Sequence, residues 1–135
     1  MIHLFPIMDT ITFKGVATMF CDSIFKLHGT SRKVISDRGP QFVSSFMKDL
    51  YELLNIQANL STTYHPQTDG QTEQINREVE KYLRIYVNHR QTNWAEWLAL
   101  AEFAHNFQTT SATSVSLFLL NYGQQPIIPN KQVEV

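Results

Sequence analysis

Short apolar runs alternating with segments of helical period predict an α/β chain. Three observations carry that expectation. Val34-Ile35-Ser36 is a brief β-branched run that ends at Asp37 and is punctuated by Gly39 and Pro40, the pattern of a strand tip. Residues 2–8, Ile-His-Leu-Phe-Pro-Ile-Met, form an extended apolar segment ahead of the first helical pattern. From about Gln71 to His89, Ile75, Val79, Tyr82, Leu83 and Tyr86 fall on one stripe at 100° per residue, the mark of an amphipathic helix.

The elements follow in order. Residues 2–8 read as a strand and not as a signal peptide, because a basic start and a small-residue cleavage site are missing. Phe13, Val16, Ala17, Phe20, Ile24 and Leu27 recur at helical spacing, with Thr12 as the cap and Gly29 as the stop. Lys33–Ser36 is the second strand. Phe46, Leu50, Leu53 and Leu54 mark a second helix that begins near Ser44 or Ser45, and residues 56–61 suit another strand. A polar loop runs to Gly70, where the long helix opens with Glu73, Asn76, Arg77, Glu80 and Arg84 opposite its apolar stripe. A fourth helix spans about Trp94 to Phe107. A short one covers about Val115 to Tyr122 and stops at Gly123. Trp94 and Trp97 sit in a helical pattern and read as packing residues rather than base-stacking platforms.

At 135 residues, 43% of them apolar and including nine Phe, the chain suits one domain, residues 1–123, followed by a tail over 124–135. No apolar run reaches the length needed to span a membrane. The lone Cys21 excludes an internal disulfide framework and fits a reduced, intracellular compartment. Five scattered His without paired Cys exclude a zinc knuckle. A net charge of −1 argues against a self-sufficient DNA-binding module, although Arg77, Lys81, Arg84 and Arg90 share one helical stretch.

Asp37 and Glu73 are the chemistry-bearing pair. A strand-tip carboxylate and one at a helix N-terminus can converge on divalent metal from different elements, as two-metal phosphoryl transfer requires. Mg²⁺ keeps several waters and needs few protein oxygens. Each acid also has an ordinary structural explanation. Asp-Arg-Gly-Pro favours a turn, and Glu73 suits both a first helical turn and an i,i+4 pair with Arg77. His65 to Gln71 likewise has the composition of a plain solvated connector.

Taken with their flanks, these residues resemble the catalytic core of retroviral-type integrases, most closely those of gypsy-type LTR retrotransposons. The resemblance runs from about Met1 to Pro126. It is carried by Leu27-His28-Gly29, Ser36 to Phe42, Ser61 to Arg77, Trp94 to Asn106 and Asn121-Tyr122-Gly123. It implies an RNase H-like fold, a mixed sheet flanked by helices. It further implies Mg²⁺- or Mn²⁺-dependent processing of retroelement cDNA ends and their transfer into target DNA in the nucleus. Asp37 and Glu73 match the second and third acids of the family's triad and would be both catalytic and metal-ligating. Tyr64, Gln67, Gln71, Asn76 and Arg77 match its DNA-facing positions.

The first acid of that triad has no match. Asp9 is only 28 residues before Asp37 and just precedes the first helix, while Asp22 falls within it. The resemblance therefore implies a core missing its first two strands, inactive alone and prone to self-association. Ser114 and Leu117 stand where the family has Gly and Pro, and its zinc and C-terminal modules have no counterpart here. Two alternatives remain open: a non-catalytic nucleic-acid or protein-interaction remnant, and a different RNase H-like nuclease using Asp9, Asp37 and Glu73.

Overall fold

A computed structural model describes residues 1–31, 33–55 and 70–128. Its elements are α1 (Phe13–Phe20), a π turn (Cys21–Phe25), α2 (Lys26–His28), α3 (Pro40–Leu53), α4 (Gly70–Tyr86), a 3₁₀ turn (Trp94–Trp97), α5 (Leu98–Phe107) and α6 (Leu117–Tyr122). The chain divides into two compact units, Ile7–Gly70 and Met1–Pro6 with Gln71–Val135.

In the first unit α1 packs on α3. Thr12 caps α1 by accepting from the Gly15 N–H, as the sequence predicts. The helix widens through the π turn and ends where Gly29 takes φ 73°. Ala17, Phe46 and Leu50 are buried together, with Val16, Phe20, Val34, Phe42 and Met47 around them. Phe20 meets Phe46 edge-on at 5.5 Å, and Phe13 meets Phe42 in the same manner at 5.5 Å. Such pairs add about 0.5–1.5 kcal/mol each beyond the area they bury.

The second unit is organised around α5. Leu98, Ala101 and Asn106 are buried on it. Tyr86 of α4 stacks on Trp97 at 5.1 Å, Glu78 of α4 meets the His105 ring at 3.0 Å, and Phe118 of α6 lies 5.4 Å from Phe103. Ser116 caps α6, its hydroxyl accepting from the Leu119 N–H, so the helix opens at Leu117 without a proline there. Gly123 ends α6 in the left-handed region.

The expected mixed sheet is not what forms, and the RNase H-like α/β reading is overturned. Among the described residues the chain is helical and holds no strand, only an isolated antiparallel bridge between Thr109 and Ser116. The reasons are local. Where residues 2–4 need partners, helix side chains supply them: the Ile2 N–H donates to Asn106 Oδ1 at 2.9 Å, Asn106 Nδ2 donates to the Ile2 carbonyl at 2.9 Å, and the Leu4 N–H donates to Glu102 Oε2 at 2.7 Å. Residues 33–36 run directly into a turn in which Ser36 Oγ accepts from the Arg38 N–H. The strand expected over 56–61 lies outside the described residues.

The second helix also starts earlier than expected, at Pro40 rather than Ser44 or Ser45. Gly39 takes φ 89° as the cap residue, and Pro40 sits where a missing N–H costs nothing. The motif read as a breaker is a helix start.

Three consequences are measurable. Leu50→Ala should lower the stability of the first unit by about 2–5 kcal/mol in urea unfolding, because Leu50 is only 2% exposed. Asn106→Ala should cost about 1–3 kcal/mol by leaving the Ile2 groups without their partner, with faster amide exchange at Ile2. Burial first, then the neighbouring Asp22 carboxylate, pushes the Cys21 thiol above its ordinary pKa. Since the thiolate is the nucleophile, Cys21 should alkylate at pH 8 more slowly than a small-molecule thiol, and Asp22→Asn should restore only part of that rate.

Candidate functional site

Asp37 occupies the turn that separates residues 33–36 from α3, and its side chain is exposed. The turn is built by Ser36, and it is flanked by Arg38, whose guanidinium lies over the Phe42 ring 5.5 Å from its centroid. Its neighbour Gly39 takes a positive φ because the chain must reverse into α3 there. Asp37 belongs to the first unit.

Glu73 belongs to the second unit. It is exposed in the first turn of α4, where the helix dipole favours a carboxylate. Asn76 and Arg77 are exposed on the same helix. Tyr64 and Gln67 lie outside the described residues, as does the side chain of Gln71. Among the described residues neither Asp37 nor Glu73 is engaged in a hydrogen bond or ion pair, and no group of three or more His, Cys, Asp or Glu side chains converges to hold a metal. Asp9 lies in an exposed turn ahead of α1.

The polar face of α4 is as the periodicity predicts. Arg77, Lys81 and Arg84 recur at i, i+4 and i+7, so they share one side of the helix. Arg84 pairs with Glu80 at 3.9 Å, both side chains well exposed. On the opposite side Tyr82 packs 4.8 Å from Tyr86, and burial, then Tyr86, pushes its phenol above the ordinary value.

One feature was not anticipated from the residues. At the end of α4 an open cavity of about 470 Å³ is lined by Glu80, Leu83, Arg84, Val87, Asn88, His89, Gln91 and Trp94. Trp94 is 41% exposed and forms part of its wall. The signal that could have found it is the cluster of turn-forming amides between two helices, Asn88 to Asn93, which ends α4 and turns the next ring outward. A second cavity, about 390 Å³ and mostly apolar, lies in the first unit between α1, α3 and residues 33–36.

No helix among the described residues is long and apolar enough to cross a membrane. No family model matches the chain, and no solved structure does. Among known proteins it is similar to the transposon Tf2-3, Tf2-4 and Tf2-5 polyproteins of Schizosaccharomyces pombe. Each is 31% identical over 125 residues, which is 93% of this chain and 9% of the polyprotein. The chain is a homologue of a segment of retrotransposon polyproteins.

Proposed function

We propose that this segment is part of the integrase core of a gypsy-type element and takes part in inserting retroelement DNA. The observation that supports it is the coincidence of two features of one sequence. The retroelement relationship covers nearly the whole chain, and the motifs around Asp37 and Glu73 resemble those of integrase cores. The chain spans about 9% of the length of its relatives, so catalysis is assigned to a longer protein that contains this segment.

In this reading Asp37 and Glu73 each supply carboxylate oxygens to Mg²⁺ or Mn²⁺. Their chemistry fits: hard oxygen donors, exposed and not paired among the described residues. Bound ions would supply charge stabilisation to the phosphodiester undergoing substitution. Asn76 and Arg77 contact the DNA backbone from the exposed side of α4, and Tyr64, Gln67 and Gln71 are the further DNA-binding residues of this reading. The process takes place in the nucleus, with cDNA ends and target DNA as partners.

Two acids fall short of the three that such chemistry uses, so the 135-residue chain should bind Mn²⁺ weakly and show neither end processing nor strand transfer. Paramagnetic broadening by Mn²⁺ of amide resonances checks the first point. It should be selective for the surroundings of Asp37 and Glu73 and should vanish at the altered residue in Asp37→Asn and Glu73→Gln. Broadening spread evenly over all exposed acids, unchanged in both variants, would remove the metal assignment. Turnover of an end-mimicking oligonucleotide by the chain alone, lost in Glu73→Gln, would show instead that this segment is catalytically complete.

A further inference from the structure

We propose that the cavity at the C-terminal end of α4 is a stacking site for one unpaired base of a single-stranded nucleic acid, with Trp94 as the platform and Arg84 receiving the adjoining phosphate. The choice of ligand rests on the nucleic-acid reading above, but the site is separate from Asp37 and Glu73 and is argued from its own geometry.

The chain has two tryptophans, and they are placed differently. Trp97 stacks on Tyr86, and its buried indole N–H has no hydrogen-bond partner among the described residues. Trp94, three residues earlier, lines an open cavity beside a cation. The segment that presents it is fixed from several directions. The Asn88 N–H donates to Asn93 Oδ1 at 2.9 Å, Asn88 Nδ2 donates to Thr92 Oγ1 at 2.9 Å, and the Thr92 N–H donates to Asn88 Oδ1 at 3.1 Å. Gln91 holds φ 56° at the apex, a conformation that persists in a non-glycine residue only where the surroundings enforce it. The wall is therefore built before any ligand arrives.

Its chemistry selects the occupant. Leu83, Val87 and the Trp94 ring offer apolar surface to a flat ring, while the Asn88 amide is already spent within the turn and Gln91 remains exposed at the edge. A volume of about 470 Å³ is of the size that holds a small ligand. Glu80 is the one acid in the lining. Its 3.9 Å pair with Arg84 is solvent-exposed, and such pairs are weak enough for a phosphate to replace. Arg77 and Lys81 continue the cationic side of α4 toward the helix start, which gives a strand a direction to follow. Aromatic stacking plus a basic track is the general means of holding single strands without reading sequence. A duplex keeps its bases stacked inside and cannot use Trp94 in this way.

The two indole N–H resonances of the full chain provide the test. Octathymidylate should shift the Trp94 resonance and leave that of Trp97 in place, whereas a blunt duplex of equal length should leave both. Trp94→Leu should weaken octathymidylate binding about tenfold, and Arg84→Gln should weaken it several-fold with thermal unfolding unchanged, because the Arg84 side chain is exposed. Failure of octathymidylate to bind, binding with the Trp94 resonance unmoved, or equal affinity in Trp94→Leu would each overturn the proposal. None of these bears on the Mn²⁺ experiment at Asp37 and Glu73, so the two readings fail separately.

Discussion

The side chain of Asn106 carries a task usually left to a neighbouring strand. An extended segment exposes alternating donors and acceptors that must be matched, and an amide side chain offers one of each in nearly the geometry of a peptide. Asn106, 2% exposed, uses its oxygen and its nitrogen on the two backbone groups of Ile2. One turn earlier Glu102 divides its carboxylate, with one oxygen on the Leu4 N–H and the other 3.1 Å from His3 Nδ1. Because the carboxylate can only accept, the His3 ring must present its proton on Nδ1. Both anchors project from α5, so the N-terminal segment is tied to the same helix that receives α4 through His105 and α6 through Phe103.

That arrangement explains which parts of the fold were legible. Helix boundaries set by a single local interaction could be read directly: the Thr12 cap, the positive φ at Gly29 and Gly123, and the apolar stripe of α4 depend only on neighbours in sequence. Strands could not be read in the same way. β-branched residues at 34 and 35 satisfy the local preference, yet a strand exists only when another backbone pairs with it, and at residues 2–4 the partner is a helix. Pro40 shows the same ambiguity on a smaller scale. Proline both ends helices and begins them, and only the conformation of Gly39 decides which.

The candidate site divides along the same line. Asp37 in a turn and Glu73 in a first helical turn sit where their residue types predict, but those positions are equally natural for carboxylates without any catalytic role. The retroelement relationship supplies weight that geometry alone does not. Trp94 shows a related limit. Hydrophobic period treats every apolar residue as core, whereas Trp94, just after the turn over residues 88–93, keeps 41% of its surface exposed.

Net charge is the remaining constraint on the proposed contact with nucleic acid. A value of −1 over 135 residues leaves no broad positive field, so long-range attraction is weak and counterion release can involve only a few phosphates. What the chain does have is placement: Arg77, Lys81 and Arg84 on one side of α4, with Arg84 paired to Glu80. In the proposed complex such a stripe would orient a phosphate backbone without binding it tightly. Short-range contacts, which salt screens less, must then supply the rest. Stacking on an exposed indole is the contact of that kind which the described residues place beside the stripe. In a chain this close to neutral, where the charges stand matters more than how many there are.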